Sequence, residues 1–200
     1  IVDVGGESTR PGADVVSVAE ELDRVLPVVE AITQRFKTIV SIDTSSPELI
    51  REAAACGGAM INDVRALERP GALAAARQSG LPICLMHMQG QPKTMQHTPG
   101  YNDVVGEVID YLSGRAAACV AEGIDRSLLL VDPGFGFGKT LQHNLALLNR
   151  LQTIVALGYP VLVGLSRKSL IGEVLGRDVS QRLAGSLALA VLAAERGASI

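Results

Sequence analysis

Apolar residues along this chain gather into short runs rich in Val and Ile that do not alternate with polar ones, the pattern of strands covered on both faces. The runs occupy 1–4, 38–42, 59–61, 82–86, 128–131 and 160–164, six full strands in all, with a trace of another at 198–200. Helical patterns fill the intervals. Ser17 and Glu20 have the spacing of a capping box ahead of Val18, Leu22, Val25, Leu26 and Val29, which share one helix face, and Pro27 inside that run predicts a kink. Ser46, Pro47 and Glu48 supply a cap, a first-turn proline and an acid suited to the positive end of a helix that runs to Cys56 and stops at Gly57. Further helices are expected over 71–79, 102–122, 141–157 and 180–196, and Gly80, Gly123, Gly158 and Gly197 follow four of the helices as left-handed caps.

One strand–helix unit therefore repeats through all 200 residues without a change of phase or a linker, which predicts one domain over 1–200. Such a rhythm suits either an open doubly wound sheet or a closed (β/α)8 barrel. An open sheet serves its ligand from one reversal of strand order. Here Asp43, Asn62, His87, Asp132 and Lys168 each stand where an apolar run gives out, and side chains at the end of nearly every strand are the habit of the barrel. A whole barrel takes about 250 residues. The expected fold is thus α/β, a TIM barrel incomplete at both ends, holding strands two to seven and the start of the eighth; both ends read as cut inside a fold.

Composition narrows the partners. Eighteen basic and 21 acidic residues give a net charge of −3 without a block of either sign, and there is no Trp, so neither nucleic acid nor a membrane surface is expected as a partner. Three cysteines, Cys56, Cys84 and Cys119, lie in apolar surroundings and suit buried thiols in a reducing compartment, hence the cytoplasm. No run approaches the length of a membrane span, and the first residues already read as a strand and not as a targeting segment.

The segment Asp132-Pro133-Gly134-Phe135-Gly136-Phe137-Gly138-Lys139-Thr140 invites comparison with a phosphate-binding P-loop, but three residues separate Gly134 from the Gly-Lys-Thr where four are needed. It reads instead as a glycine-rich loop, with Asp132 facing inward and Phe137 or Phe135 closing over a flat ligand. Gly5 to Gly12 is a second loop, in which Ser8, Thr9 and Arg10 add donors suited to oxyanions or carboxylates. Asp3 lies within its strand and is expected to point toward the site, whereas Asp63 points away from Asn62 and supports it. His97 and His143 are too scattered to make a zinc set with His87. Gln89 to Gly100 reads as a mobile polar loop. Two carboxylates, an amide and a lysine in one mouth match a ring with an N–H fork on one edge and acceptors on another, a pterin or a guanine-like ring.

At these residues the chain resembles the dihydropteroate synthase family: DVGGESTRPG at 3–12, SIDTS at 41–45, IND at 61–63, LMHMQG at 85–90, DPGFGFGK at 132–139 and SRKS at 166–169. The resemblance spans essentially the whole chain. It implies an enzyme that joins 4-aminobenzoate to the methylene carbon of a dihydropterin methyl pyrophosphate and releases pyrophosphate with Mg²⁺. It further implies that Asp43, Asn62, Asp132 and Lys168 hold the pterin with Met86 and Phe137 against it, and that Asp43, Asp132 and Lys168 carry the chemistry. Thr9, Pro11 and Ser166 would border the aminobenzoate, and Arg10 would assist on the anionic side. The family is also targeted by sulfonamides and forms homodimers. Its Asn after the first strand and its Arg and His on the last strand have no counterpart here, so the expected Mg²⁺ ligand lies outside these residues. Two alternatives carry the same motifs less completely: a corrinoid-linked methyltransferase domain, and a non-catalytic chain that keeps pterin binding alone.

Overall fold

A computed structural model describes residues 1–10 and 12–200 of the chain. Five strands, β1 (Val2–Gly5), β2 (Val40–Asp43), β3 (Met60–Asp63), β4 (Ile83–Met86) and β5 (Leu129–Asp132), form one parallel sheet in the order β1-β2-β3-β4-β5. Strands that pair in sequence order, each pair separated by a helix, are the wall of a (β/α)8 barrel, and β1 takes the place expected for the second barrel strand. The sixth apolar run falls short of the expected full strand. It joins the wall through the single bridge Val131 to Val161, where Val131 N–H donates to Pro160 O at 3.0 Å and Leu162 N–H donates to Val131 O at 2.9 Å. The trace at 198–200 lies alongside it, with Ser199 N–H on Val161 O at 2.8 Å and Val163 N–H on Ile200 O at 3.0 Å.

Side-chain alternation along these short strands sorts residues to two sides. Val40, Ile42, Ile61, Ile83, Leu85, Leu129 and Val131 pack against the helices. Met60, Cys84 and Leu130, with Leu162 beside them, form a separate cluster on the opposite side, the barrel interior. Asn62, Met86 and Asp132 are two residues further along β3, β4 and β5, so they share the inward side at the C-terminal ends of the strands.

The helices largely follow the expected positions: α1 (Val18–Arg35), α2 (Pro47–Ala55), α3 (Ala72–Ser79), α4 (Val104–Glu122), α5 (Leu141–Asn149), α6 (Leu151–Val155), α7 (Ser169–Leu175) and α8 (Leu183–Glu195). Three details depart from expectation. Ser17 Oγ accepts the Glu20 N–H at 3.3 Å, but the Glu20 carboxylate turns to Arg24 instead of back to the cap, so only half of the capping box forms. The expected helix over 141–157 breaks at Arg150, whose carbonyl accepts the Thr153 hydroxyl at 2.8 Å. The Ser166–Ser169 turn leads directly into α7, a helix the apolar spacing did not announce because it is only two turns long. Gly80, Gly123, Gly158 and Gly197 all take the left-handed conformation expected of them. Cys84 and Cys119 are buried and Cys56 half-buried, all three as free thiols. No helix among the described residues is long and apolar enough to cross a membrane.

Candidate active site

Asp132 ends β5 almost fully buried, and its Oδ1 accepts the Gly134 N–H at 2.7 Å. That bond fixes the carboxylate plane and leaves Oδ2 available. Burial raises its pKa, and the charge of Lys168 opposes the rise. Lys168 caps α7; its ammonium donates to the carbonyl of Phe135 and lies 4.7 Å from the centre of the Phe137 ring. Burial lowers the Lys168 pKa, and Asp132 pulls it back up. Asp132, Lys168 and Phe137 therefore form one unit, as the sequence suggested. Phe135 is not part of it: fully buried, it packs with Val131, Leu147 and Leu165, and only its carbonyl reaches the site.

A second group stands on β1, β2 and β3. Asp43 is half-buried at the end of β2, with its pKa raised to about 7, first by burial and then by the neighbouring charge of Asp3. The Asn62 amide donates to Asp3 Oδ2 at 3.2 Å, which turns its own carbonyl oxygen away from Asp3 as a free acceptor. Asp3 thus faces the site, as expected of it. Asp63 does point the other way, accepting from the Ser45 hydroxyl and, at 2.8 Å each, from the Arg65 N–H and the Leu67 N–H. Met86 ends β4 with 3% exposure.

The remaining candidates are less tightly placed. Thr9 is half-buried and Arg10 and Ser166 exposed, and among the described residues no hydrogen bond joins their side chains to either group. Pro11 lies outside the described residues.

His87 leaves the row of candidate ligands. It is buried, and its Nδ1 lies 2.9 Å from Lys139 Nζ. Burial and the lysine charge together push its pKa down to about 3, so it is a neutral acceptor with Nδ1 unprotonated. Lys139 also donates to the carbonyls of Gly134 at 2.9 Å and Phe137 at 3.0 Å. Burial pulls its own pKa down to about 7. The glycine-rich loop is wound around this one side chain, a role the sequence hides because its partners are backbone carbonyls and the ring of His87, 52 positions away. The 89–100 segment is likewise more than a free loop. Gln89 exchanges hydrogen bonds with Gly100, the Gln96 amide reaches Gly136 O, Met95 is buried, and a cavity of about 440 Å³ lies among Gln89, Thr94 and His97.

Comparison with known proteins places the chain in a family. The family model described as "Pterin binding enzyme" matches residues 1–200. The chain is 60% identical to dihydropteroate synthase of Escherichia coli over 200 residues, all of this chain and 71% of that protein. Against the Haemophilus influenzae dihydropteroate synthase it is 53% identical, again over the whole chain and 73% of the relative. Its fold superposes on the Yersinia pestis dihydropteroate synthase solved with a sulfonamide drug complex at a TM-score of 0.96 and 54% identity, covering 98% of this chain and 71% of that one. The Xanthomonas albilineans dihydropteroate synthase solved with 4-aminobenzoic acid gives 0.93 at 51% identity, with 98% and 70% covered. With the family model matched over the whole chain and the fold shared with solved relatives, the chain belongs to the dihydropteroate synthase family of pterin-binding enzymes.

Proposed function

We propose that the two strand-end groups are the pterin grip of the family's reaction, the joining of 4-aminobenzoate to the methylene carbon of a dihydropterin methyl pyrophosphate with loss of pyrophosphate. The observation that carries this reading is the unit of Asp132, Lys168 and Phe137: a carboxylate with one oxygen committed and one free, beside a cation held over an aromatic face. The free oxygen of Asp132 and the Asp43 carboxyl accept from the ring's N–H fork, the Asn62 carbonyl accepts a further N–H, and Lys168 donates to a ring acceptor. Met86 and Phe137 lie against the ring.

As pyrophosphate departs, positive charge spreads from the methylene into the pterin. Asp132 and Asp43, fixed in a site of low water content, favour that charge, and the neutral aniline nitrogen attacks the carbon held in line. Asp43 with a pKa of about 7 is only partly ionised in the free site at neutral pH, so the developing cation itself draws out its ionised form. Thr9, Pro11 and Ser166 border the aminobenzoate and Arg10 the anionic side, a reading that makes the enzyme a sulfonamide target. Among the described residues no group of three His, Cys, Asp or Glu is arranged to hold a metal ion. The Mg²⁺ ligand of the family's reaction is assigned to residues outside this chain, and the roles given to these side chains stand without it.

The 1–200 segment acts as a single pterin-binding unit in a cytoplasmic homodimer. Support for the dimer comes from α8 and its approach, where Val179, Leu183, Leu187 and Val191 are each 57–59% exposed and only Ser186 and Ala193 of the helix are buried. The reading is tested by following pyrophosphate release from a dihydropterin methyl pyrophosphate with the enzyme that carries this chain. Release that requires 4-aminobenzoate is expected; release indifferent to it overturns the proposal.

A further inference from the structure

Glu7 is a carboxylate that none of the chemistry above uses, yet its side chain is only 8% exposed and meets two cations. Its Oε2 accepts from Arg65 Nη1 at 3.0 Å and lies 3.5 Å from Arg69 Nη2. The Arg65 side chain is only 15% exposed, in contrast to the open pair of Lys93 and Asp14 at 70% and 93%. Surface pairs of the latter kind hold little in place, whereas a sheltered pair with shared hydrogen bonds fixes both partners.

The same Arg65 Nη1 donates to Ser45 Oγ at 3.0 Å, and the Ser45 hydroxyl donates in turn to Asp63 Oδ1. One polar network thus ties together the loops that follow β1, β2 and β3. Asp43 and Asn62 end β2 and β3 immediately before it. The backbone is bent to make this possible. Ala66 and Leu67, two successive non-glycine residues, both take left-handed conformations with φ of 47° and 61°. That strain is held by Asp63, which accepts from Arg65 N–H and Leu67 N–H, and by Arg115 Nε, which donates to Ala66 O at 2.8 Å. On the other side of Glu7, Gly6 is pressed against α1, where a Cβ would lie 3.0 Å from Glu21 Cγ, and its carbonyl accepts from Arg24 Nη1 at 2.8 Å. Beyond Glu7, among the described residues, no side chain of Ser8, Thr9 or Arg10 bonds to the body of the fold. Glu7 is the last anchored side chain before them.

We propose that Glu7 is a positioning residue: clamped by Arg65 and Arg69, it sets where the Ser8–Arg10 segment stands relative to the strand ends, and so controls access and fit of 4-aminobenzoate rather than of the pterin. This rests on the reading of Thr9 as part of the aminobenzoate side. The test is the pair of KM values in Glu7→Gln, because KM does not depend on how much of the enzyme is folded. The KM for 4-aminobenzoate is expected to rise about tenfold while that for the pterin pyrophosphate stays within about twofold. Combining Glu7→Gln with Arg65→Gln should add little to the aminobenzoate KM beyond the larger single effect, since both break the same Glu7–Arg65 contact. Should Glu7→Gln yield no active enzyme, Arg65→Lys keeps the charge but loses the fork to Glu7 and Ser45, and the same split is expected. An unchanged aminobenzoate KM, or an equal rise in both, overturns the proposal. Thr9→Val separates the two readings. If it raises the aminobenzoate KM and Glu7→Gln does not, the subsite stands and the role of Glu7 falls; if only Glu7→Gln raises it, Glu7 keeps its role and Thr9 loses its own.

Discussion

Lys139 Nζ stands 2.9 Å from Nδ1 of His87, both side chains are buried, and among the described residues no carboxylate forms an ion pair with the lysine, Asp132 acting on it only through its charge. The ammonium is satisfied instead by this ring nitrogen and by the carbonyls of Gly134, Phe137 and His87. A single cation thus holds the loop that carries Phe137 and the N–H on which Asp132 rests. Lys139→Met leaves three carbonyls and a ring nitrogen unpartnered, and a loss of about 3–5 kcal/mol in unfolding free energy is expected. Chemical denaturation at neutral pH checks this.

The pH dependence of that contact follows from His87. Its folded pKa of about 3 lies below the ordinary value of 6.5, so between these limits the unfolded chain binds the extra proton and stability falls as pH drops. His87→Asn removes this slope while keeping an acceptor near Lys139. The stability gap between parent and variant should be widest above about pH 6.5 and shrink toward pH 4. In a denaturation series at several pH values, a gap that does not shrink between about pH 6.5 and pH 4 would mean that the imidazole is instead charged in the folded protein.

Asp43 carries the opposite sign. Its folded pKa of about 7 exceeds the usual 3.8, so the native state holds the extra proton in that window and stability falls as pH rises through it. Asp43→Asn abolishes the cost of a buried charge near Asp3. The variant should be more stable than the parent by about 1–3 kcal/mol at pH 8, with the gain disappearing near pH 4. Its kcat should nevertheless drop more than about tenfold, with pterin affinity changed far less, because the charge acts on the developing cation. Equal losses in affinity and turnover would sink that role.

Much of this arrangement was legible in the sequence because strand ends announce themselves. Asp43, Asn62 and Asp132 follow apolar runs, and a parallel sheet in sequence order brings them to one side without further information. What escaped notice depends on partners distant in the chain. Glu7 reads as one more polar loop residue until Arg65, 58 positions away, is seen against it. The spacing around Lys139 excludes a P-loop and His87 stands in the row of strand-end residues, but that each satisfies the other shows only in the packed loop. The sixth run has strand composition, yet it gains only a bridge, since a strand is defined by the neighbours that pair with it.

The glycines of the 132–139 loop make a graded prediction. A Cβ on Gly134 would fall 1.9 Å from His87 O, a position backbone cannot yield, whereas one on Gly136 would meet only the flexible Lys168 stem at 3.4 Å. Both have positive φ, +67° and +80°. Gly134→Ala should therefore cost more than about 3 kcal/mol and Gly136→Ala only the backbone strain of about 1–2 kcal/mol. Thermal midpoints that fail to separate the two variants would contradict the packing of β4 against this loop.

The exposed side of α8 yields the last prediction. Leu187 and Val191 are one turn apart, each 59% exposed, and Leu183 extends the same stripe by another turn. Ser186 lies on the buried side, where its hydroxyl accepts the Arg167 N–H at 2.9 Å and donates to Arg182 O. A charge at position 187 therefore should leave that side intact. Leu187→Glu in the enzyme that carries this chain is expected to weaken self-association at least about tenfold, because the unpaired carboxylate would be desolvated twice in a symmetric contact. Light scattering across a concentration series measures the shift, and a variant that still associates as tightly as the parent places the dimer contact elsewhere.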